Sequence, residues 1–121
     1  MLPRTSPPAR ILPPKQPVPR KSAPVFAALG DETRLLLVAI LCAGGAMSIA
    51  QLTAGTSITR QAVTKHLQVL ADAGLVRDVK RGRERLWEFE PMQLEAARRS
   101  LDAIAQQWDK ALMRLRKAVE R

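Results

Sequence analysis

One cysteine, one histidine and no tyrosine occur in 121 residues. A single cysteine excludes a disulfide framework within the chain and any CxxC zinc or redox motif. A single histidine excludes His-pair metal sites of the HExxH kind and leaves a Cys–His nucleophile pair little support. The four aromatics, Phe26, Trp87, Phe89 and Trp108, are too few for the stacking platforms of single-strand or RNA modules. With no glycine-rich phosphate loop and no Ser/His/Asp set, enzymatic activity is not expected. The longest apolar run, Leu35 to Met47, has 13 residues and contains Gly44-Gly45. A bilayer needs about 20. No apolar core of a secretory signal follows the basic start. A soluble, cytoplasmic protein with no membrane partner is expected.

What the chain has in excess is positive charge. Twenty Lys+Arg stand against 11 Asp+Glu, a net +9, which points to a polyanionic partner, nucleic acid or an anionic membrane surface. The excess sits in two zones. Residues 1–24 hold five basic groups, no acid and eight of the nine prolines. Residues 60–85 hold seven basic groups against three acidic ones. Proline interrupts both helix and sheet, and so polar a stretch cannot offset its ordering entropy. Residues 1–22 are therefore read as a disordered, basic, Pro-rich tail, partly polyproline II. Three roles stay open for it: an arm on DNA phosphates, a PxxP ligand, or a solvated leader. Residues 23–121 are read as one domain.

Within that domain the pattern is mostly helical. Pro24 to Leu29 suits a short helix ending at Gly30. Asp31 is a good N-cap for a helix from Thr33 to Ala43, apolar nearly all round and so expected at the centre of the core, with Cys42 packed as a small hydrophobe. Ser48 caps a short helix, Ile49 to Ala54, and Thr59 caps a longer one, Arg60 to about Ala73. A short helix, a tight connection and a longer helix form the helix-turn-helix pattern. The period then changes. Leu75–Lys80 and Arg83–Glu90 read as strands around an Arg81-Gly82 turn, a hairpin with a basic tip. Pro91 opens a long helix in which Leu94, Ala97, Leu101, Ile104, Trp108, Leu112, Leu115 and Val119 recur at steps of 3 or 4. A stripe of that length calls for a partner helix, against a single chain folding it back over the core. The fold class is α+β, mostly α: a winged helix-turn-helix with a two-stranded wing and a long C-terminal dimerisation helix.

The stretches Val25-Phe26-Ala27-Ala28-Leu29-Gly30-Asp31-Glu32-Thr33-Arg34 and Ile58-Thr59-Arg60-Gln61-Ala62-Val63-Thr64-Lys65-His66-Leu67-Gln68-Val69-Leu70-Ala71-Asp72-Ala73-Gly74-Leu75-Val76 resemble ArsR/SmtB-type transcriptional regulators. The resemblance covers about residues 24–120. It implies a bacterial homodimeric winged-helix repressor that binds an inverted-repeat operator, often of its own operon, and pairs through its first and last helices. On that basis Phe26, Leu29, Leu101, Ile104, Trp108, Leu112 and Leu115 are candidate dimer-interface residues. Two recognition helices one DNA turn apart, about 34 Å, independently call for a two-fold dimer.

The family's usual metal-binding cysteines are missing. Ser48 and Ala50 stand at their positions, and neither is a soft ligand. Asp102 and Asp109, seven residues apart on the last helix without imidazole, read as a solvated or salt-bridged face. No metal or cofactor is expected, and the effector stays unnamed.

Val63, Leu67 and Leu70 define the buried row of the 60–73 helix, so Gln61, Thr64, Lys65 and Gln68 face away from it, toward a major groove. Gln pairs with adenine and Lys with guanine. Arg60 and Thr59 sit at the helix start, and Lys80, Arg81 and Arg83 on the wing suit phosphates or the minor groove. His66, on the flank with Ala62 and Val69, reads as a half-buried residue orienting the helix in preference to a base contact. Two other readings remain: a winged-helix module docking an acidic protein partner, and a MarR-type regulator, which usually has more flanking helix.

Overall fold

Side-chain caps set where three of the helices begin. In this computed structural model, which describes residues 22–120, Asp31 caps α2 (Glu32–Gly44), its Oδ2 accepting the Arg34 N–H at 3.0 Å. Ser48 caps α3 (Ile49–Ala54) through a reciprocal box with Gln51, at 3.1 and 2.9 Å. Thr59 caps α4 (Arg60–Asp72), its Oγ1 accepting the Ala62 N–H at 3.1 Å. Each cap satisfies first-turn donors that have no partner inside the helix.

The first helix, α1, runs Ser22–Leu29, two residues earlier than the expected start at Pro24. Pro24 sits in its first turn, where the missing N–H costs nothing. Ser22, placed in the tail by composition, is instead buried, with its Oγ 3.1 Å from Ser100 Oγ. The rest of the expected tail, residues 1–21, lies outside the described residues.

The expectation for α2 needs correcting. Only one side of it is buried, through Leu37, Val38 and Leu41. Leu35 is 54% exposed, Leu36 44%, and Cys42 lies on the exposed side with them rather than in the core. An all-round apolar helix carries no record of which face is inside. Here α1, α4 and the hairpin cover one side alone.

Helix α4 ends in a Schellman motif. Gly74 takes φ +79° and the Leu75 N–H reaches the Leu70 carbonyl at 2.9 Å, a geometry that favours glycine. The chain then enters β1 (Val76–Arg81), which pairs antiparallel with β2 (Glu84–Phe89) from Val76↔Phe89 to Arg81↔Glu84. The two linking residues are Gly82 and Arg83, one position later than expected. Gly82 has φ +64° and Arg83 does not take positive φ, the arrangement of a type II′ hairpin turn. Met47, just before α3, adds a bridge to Trp87 of β2 through hydrogen bonds of 2.9 and 2.7 Å. This bridge anchors the root of the hairpin to the helix-turn-helix.

The last helix, α5 (Pro91–Glu120), has 30 residues. Its first turns pack on α1, burying Ala97 and Ser100. The core joins Val25, Leu37, Leu41, Leu52, Val63, Leu67, Leu70 and Leu75. From Leu101 onward the apolar stripe is uncovered, and Trp108 is 61% exposed. The helix therefore does not fold back over the core of its own chain. Among the described residues, no helix is long and apolar enough to cross a membrane.

Candidate nucleic-acid interface

Helix α4 presents two chemically different sides. Val63, Leu67 and Leu70 are buried, at spacings of four and three that keep them on one stripe. Gln61, Thr64, Lys65 and Gln68 are exposed on the other side, with Arg60 at the helix start. A shallow groove lined by Ile49, Arg60, Gln61, Thr64 and Lys65 runs between α3 and α4. The expected groove-facing set thus stands together on one open surface.

Local hydrogen bonds sort these side chains further. Thr59 Oγ1 accepts one bond as the cap, so its hydroxyl keeps its proton and one lone pair for an outside partner. Thr64 Oγ1 donates to the Arg60 carbonyl at 2.9 Å. Gln68 Nε2 donates to Asp72 Oδ1 at 3.0 Å, which orients the amide along the helix. Gln61 and Lys65 have no such internal bond among the described residues.

The hairpin carries the second group. Cross-strand partners share a face, and faces alternate along each strand. Arg81 lies with Arg77 and Glu88, and Glu88 draws both arginines, at 2.8 Å for Arg77 and 3.8 Å for Arg81. Lys80 stands opposite Arg85 on the other face. That like-charge pair is relieved by Asp78, which binds Arg85 at 2.7 Å. Arg83 is in the turn. Among the described residues, Arg60, Lys65, Lys80 and Arg83 make no ion pair, whereas Arg81 is partly engaged. A second groove, between α4 and the hairpin, is lined by Thr64, Gln68, Asp78, Arg85 and Trp87 among others. The buried Trp87 indole N–H has no acceptor among the described residues.

His66 is half-buried on the flank of α4, with Nδ1 3.2 Å from Arg34 Nη1 and 3.9 Å from Asp31 Oδ2. Spacing alone gave the half-burial but not these partners, which lie over 30 residues earlier in the chain. The Arg34 backbone N–H holds the Asp31 carboxyl below its ordinary range. The Arg34 charge adds to this, and partial desolvation opposes it.

The candidate interface residues divide by location. Phe26 and Leu29 on α1 are half-buried and packed against the core. Leu101, Ile104, Trp108, Leu112 and Leu115 are all exposed on α5. Asp102 on the same helix pairs with Arg98 at 3.3 Å. Among the described residues, no group of three or more His, Cys, Asp or Glu side chains is placed to hold a metal ion.

A capped two-helix unit whose second helix shows a polar face, followed by a basic hairpin, defines a winged helix-turn-helix protein built to dock on duplex DNA. Known proteins agree. The helix-turn-helix domain family matches residues 29–79. An HTH-type transcriptional regulator of Mycobacterium tuberculosis, Rv2034, is 38% identical over 87 residues, covering 72% of this chain and 78% of that protein. An uncharacterized HTH-type transcriptional regulator of Bacillus subtilis, YuzN, is 42% identical over 71 residues, covering 54% of this chain and 77% of that one. The structure of an ArsR-like transcriptional regulator from Rhodococcus sp. RHA1 superposes with a TM-score of 0.70 at 37% identity, covering 80% and 91% of the two chains. The chain belongs to the ArsR-type winged helix-turn-helix transcriptional regulators, and its function is DNA-binding regulation of transcription.

Proposed function

We propose that the protein is a homodimeric, sequence-specific repressor acting in the cytoplasm on an inverted-repeat operator, its own promoter among the targets. Helix α4 enters the major groove, with Gln61, Lys65 and Gln68 on base edges and Thr59, Arg60 and Thr64 at its entrance. Lys80 and Arg83 touch the backbone or minor groove from the wing, and Arg81 joins them when it leaves Glu88. Two chains pair through α5, with Leu101, Ile104, Trp108, Leu112 and Leu115 at the seam and Phe26 and Leu29 at its border. Neither metal nor cofactor takes part in binding.

One observation carries this reading. The open stripe on α5 and the open polar face of α4 belong to one chain, in which the first turns of α5 pack on α1. Covering the stripe with a second copy gives a two-fold axis and two recognition helices, which matches the symmetry of an inverted repeat. Selection of bound fragments from genomic DNA, followed by footprinting, tests it. Two protected half-sites about 10 base pairs apart, centre to centre, are expected. Protection of a single half-site, or of no preferred sequence, would count against it.

A further inference from the structure

Arg34 joins three helices with one side chain. Its Nε donates to the Ala28 carbonyl in the last turn of α1, at 2.6 Å. Its Nη1 is 3.2 Å from His66 Nδ1 on α4. Its backbone N–H is held by Asp31 at the start of α2, at 3.0 Å. A guanidinium only donates, so His66 accepts at Nδ1 and carries its proton on Nε2. The planar fork of arginine gives both bonds a fixed direction.

This direction supplies what the apolar packing lacks. Val63, Leu67 and Leu70 set how deep α4 sits, but apolar contact is non-directional and resists a roll about the helix axis weakly. His66 lies on the flank, between the buried row and the exposed face. At the ~5–6 Å radius of a helix with its side chains, a roll of about 20° shifts the groove-facing ends by about 2 Å. Hydrogen bonds to base edges tolerate only a few tenths of an ångström. Helix α1 in turn is tied to α5 by the Ser22–Ser100 contact at 3.1 Å and by the buried Val25, Ala28 and Ala97.

We propose that Arg34 and His66 are positioning residues that fix the roll of the recognition helix against the α1–α5 unit, and so set sequence discrimination without touching DNA. The inference rests on the reading that α4 enters the major groove.

The probe is the duplex that the full wild-type chain enriches from a random-sequence library, compared with mixed-sequence duplex of equal length at one salt concentration. The readout is the ratio of the two affinities by fluorescence anisotropy. His66→Asn keeps an acceptor near the Nδ1 position, and its ratio should stay within about threefold of wild type. His66→Leu removes the acceptor, and its ratio should fall about tenfold with mixed-sequence binding unchanged. Leucine is the better helix former and the better apolar filler, so a purely packing role predicts the opposite order. Arg34→Met should lower the ratio similarly, and Arg34→Met/His66→Leu should lose no more than Arg34→Met alone. A full ratio in His66→Leu, additive losses, or a His66→Leu chain that also loses mixed-sequence binding would overturn the positioning role. A wild-type chain that enriches no sequence would overturn the groove reading and this inference together. Discrimination shared equally by wild type and His66→Leu would overturn the inference alone.

Discussion

Gln61 and Arg83 stand for two kinds of contact and should fail in different ways. Gln61 is exposed on the open face of α4, where a side-chain amide can meet one base edge with two bonds. Gln61→Ala should cost about 1–3 kcal/mol at particular base pairs and relax preference there. A uniform loss on every sequence would assign it to phosphate. Arg83, at the wing turn and without an ion pair among the described residues, should act through charge. Arg83→Ala should weaken binding to all duplexes and lower the salt slope by about 1 per chain, and an unchanged slope would remove the wing from the interface. Asp31 makes a third case. Its carboxyl is held below the ordinary range, first by the Arg34 N–H. A depressed acid stabilises the fold above its unfolded-state pKa, and that contribution is lost as pH falls through the lowered native value. Asp31→Asn keeps a cap acceptor but does not titrate. Its thermal stability should therefore decline less than that of wild type on acidification through and below the carboxylate range.

Among the elements, the ones fixed by neighbouring residues are legible in the sequence. Asp31, Ser48 and Thr59 each cap the helix that follows them, because capping needs only three or four consecutive residues. Gly74 marked the end of α4 for the same reason. Gly74→Ala should destabilise the chain by about 1–3 kcal/mol in urea unfolding. It places a side chain at φ +79°, with Cβ only 2.7 Å from Gln93 Cγ on α5. What was not legible depends on packing. Leu35 to Ala43 is apolar on every side, so its sequence holds no sign that Leu35, Leu36 and Cys42 face outward. The Arg34–His66 contact joins two helices through the fold, and no local spacing announces it. The wing turn fell one residue late because Arg81 still has a cross-strand partner in Glu84, and only register shows that. For the site itself, the α4 face followed from its 3.6-residue period, whereas the pairing of Arg81 with Glu88 required the hairpin to be folded.

At the scale of the whole molecule, an uncovered apolar stripe on α5 and a basic α4–hairpin surface belong to the same chain. The stripe from Leu101 to Val119, 77% exposed at its last residue, is larger than the scattered apolar groups a monomer ordinarily shows. Among the described residues, Arg60, Lys65, Lys80 and Arg83 on α4 and the hairpin make no ion pair, and neither do Lys110, Arg114, Arg116 and Lys117 on α5. In the proposed dimer a second copy covers the stripe and doubles the cationic face. Sedimentation velocity of the full chain, alone and with the duplex it enriches from a random library, is the most direct test. Two chains per free particle and two per duplex are expected. Trp108→Glu should sediment as one folded chain, since Trp108 is exposed in the single chain and a glutamate there meets its own copy only across the seam. This variant should also lose high-affinity binding. A wild-type chain that sediments as a monomer and binds its duplex one to one would contradict the dimeric repressor.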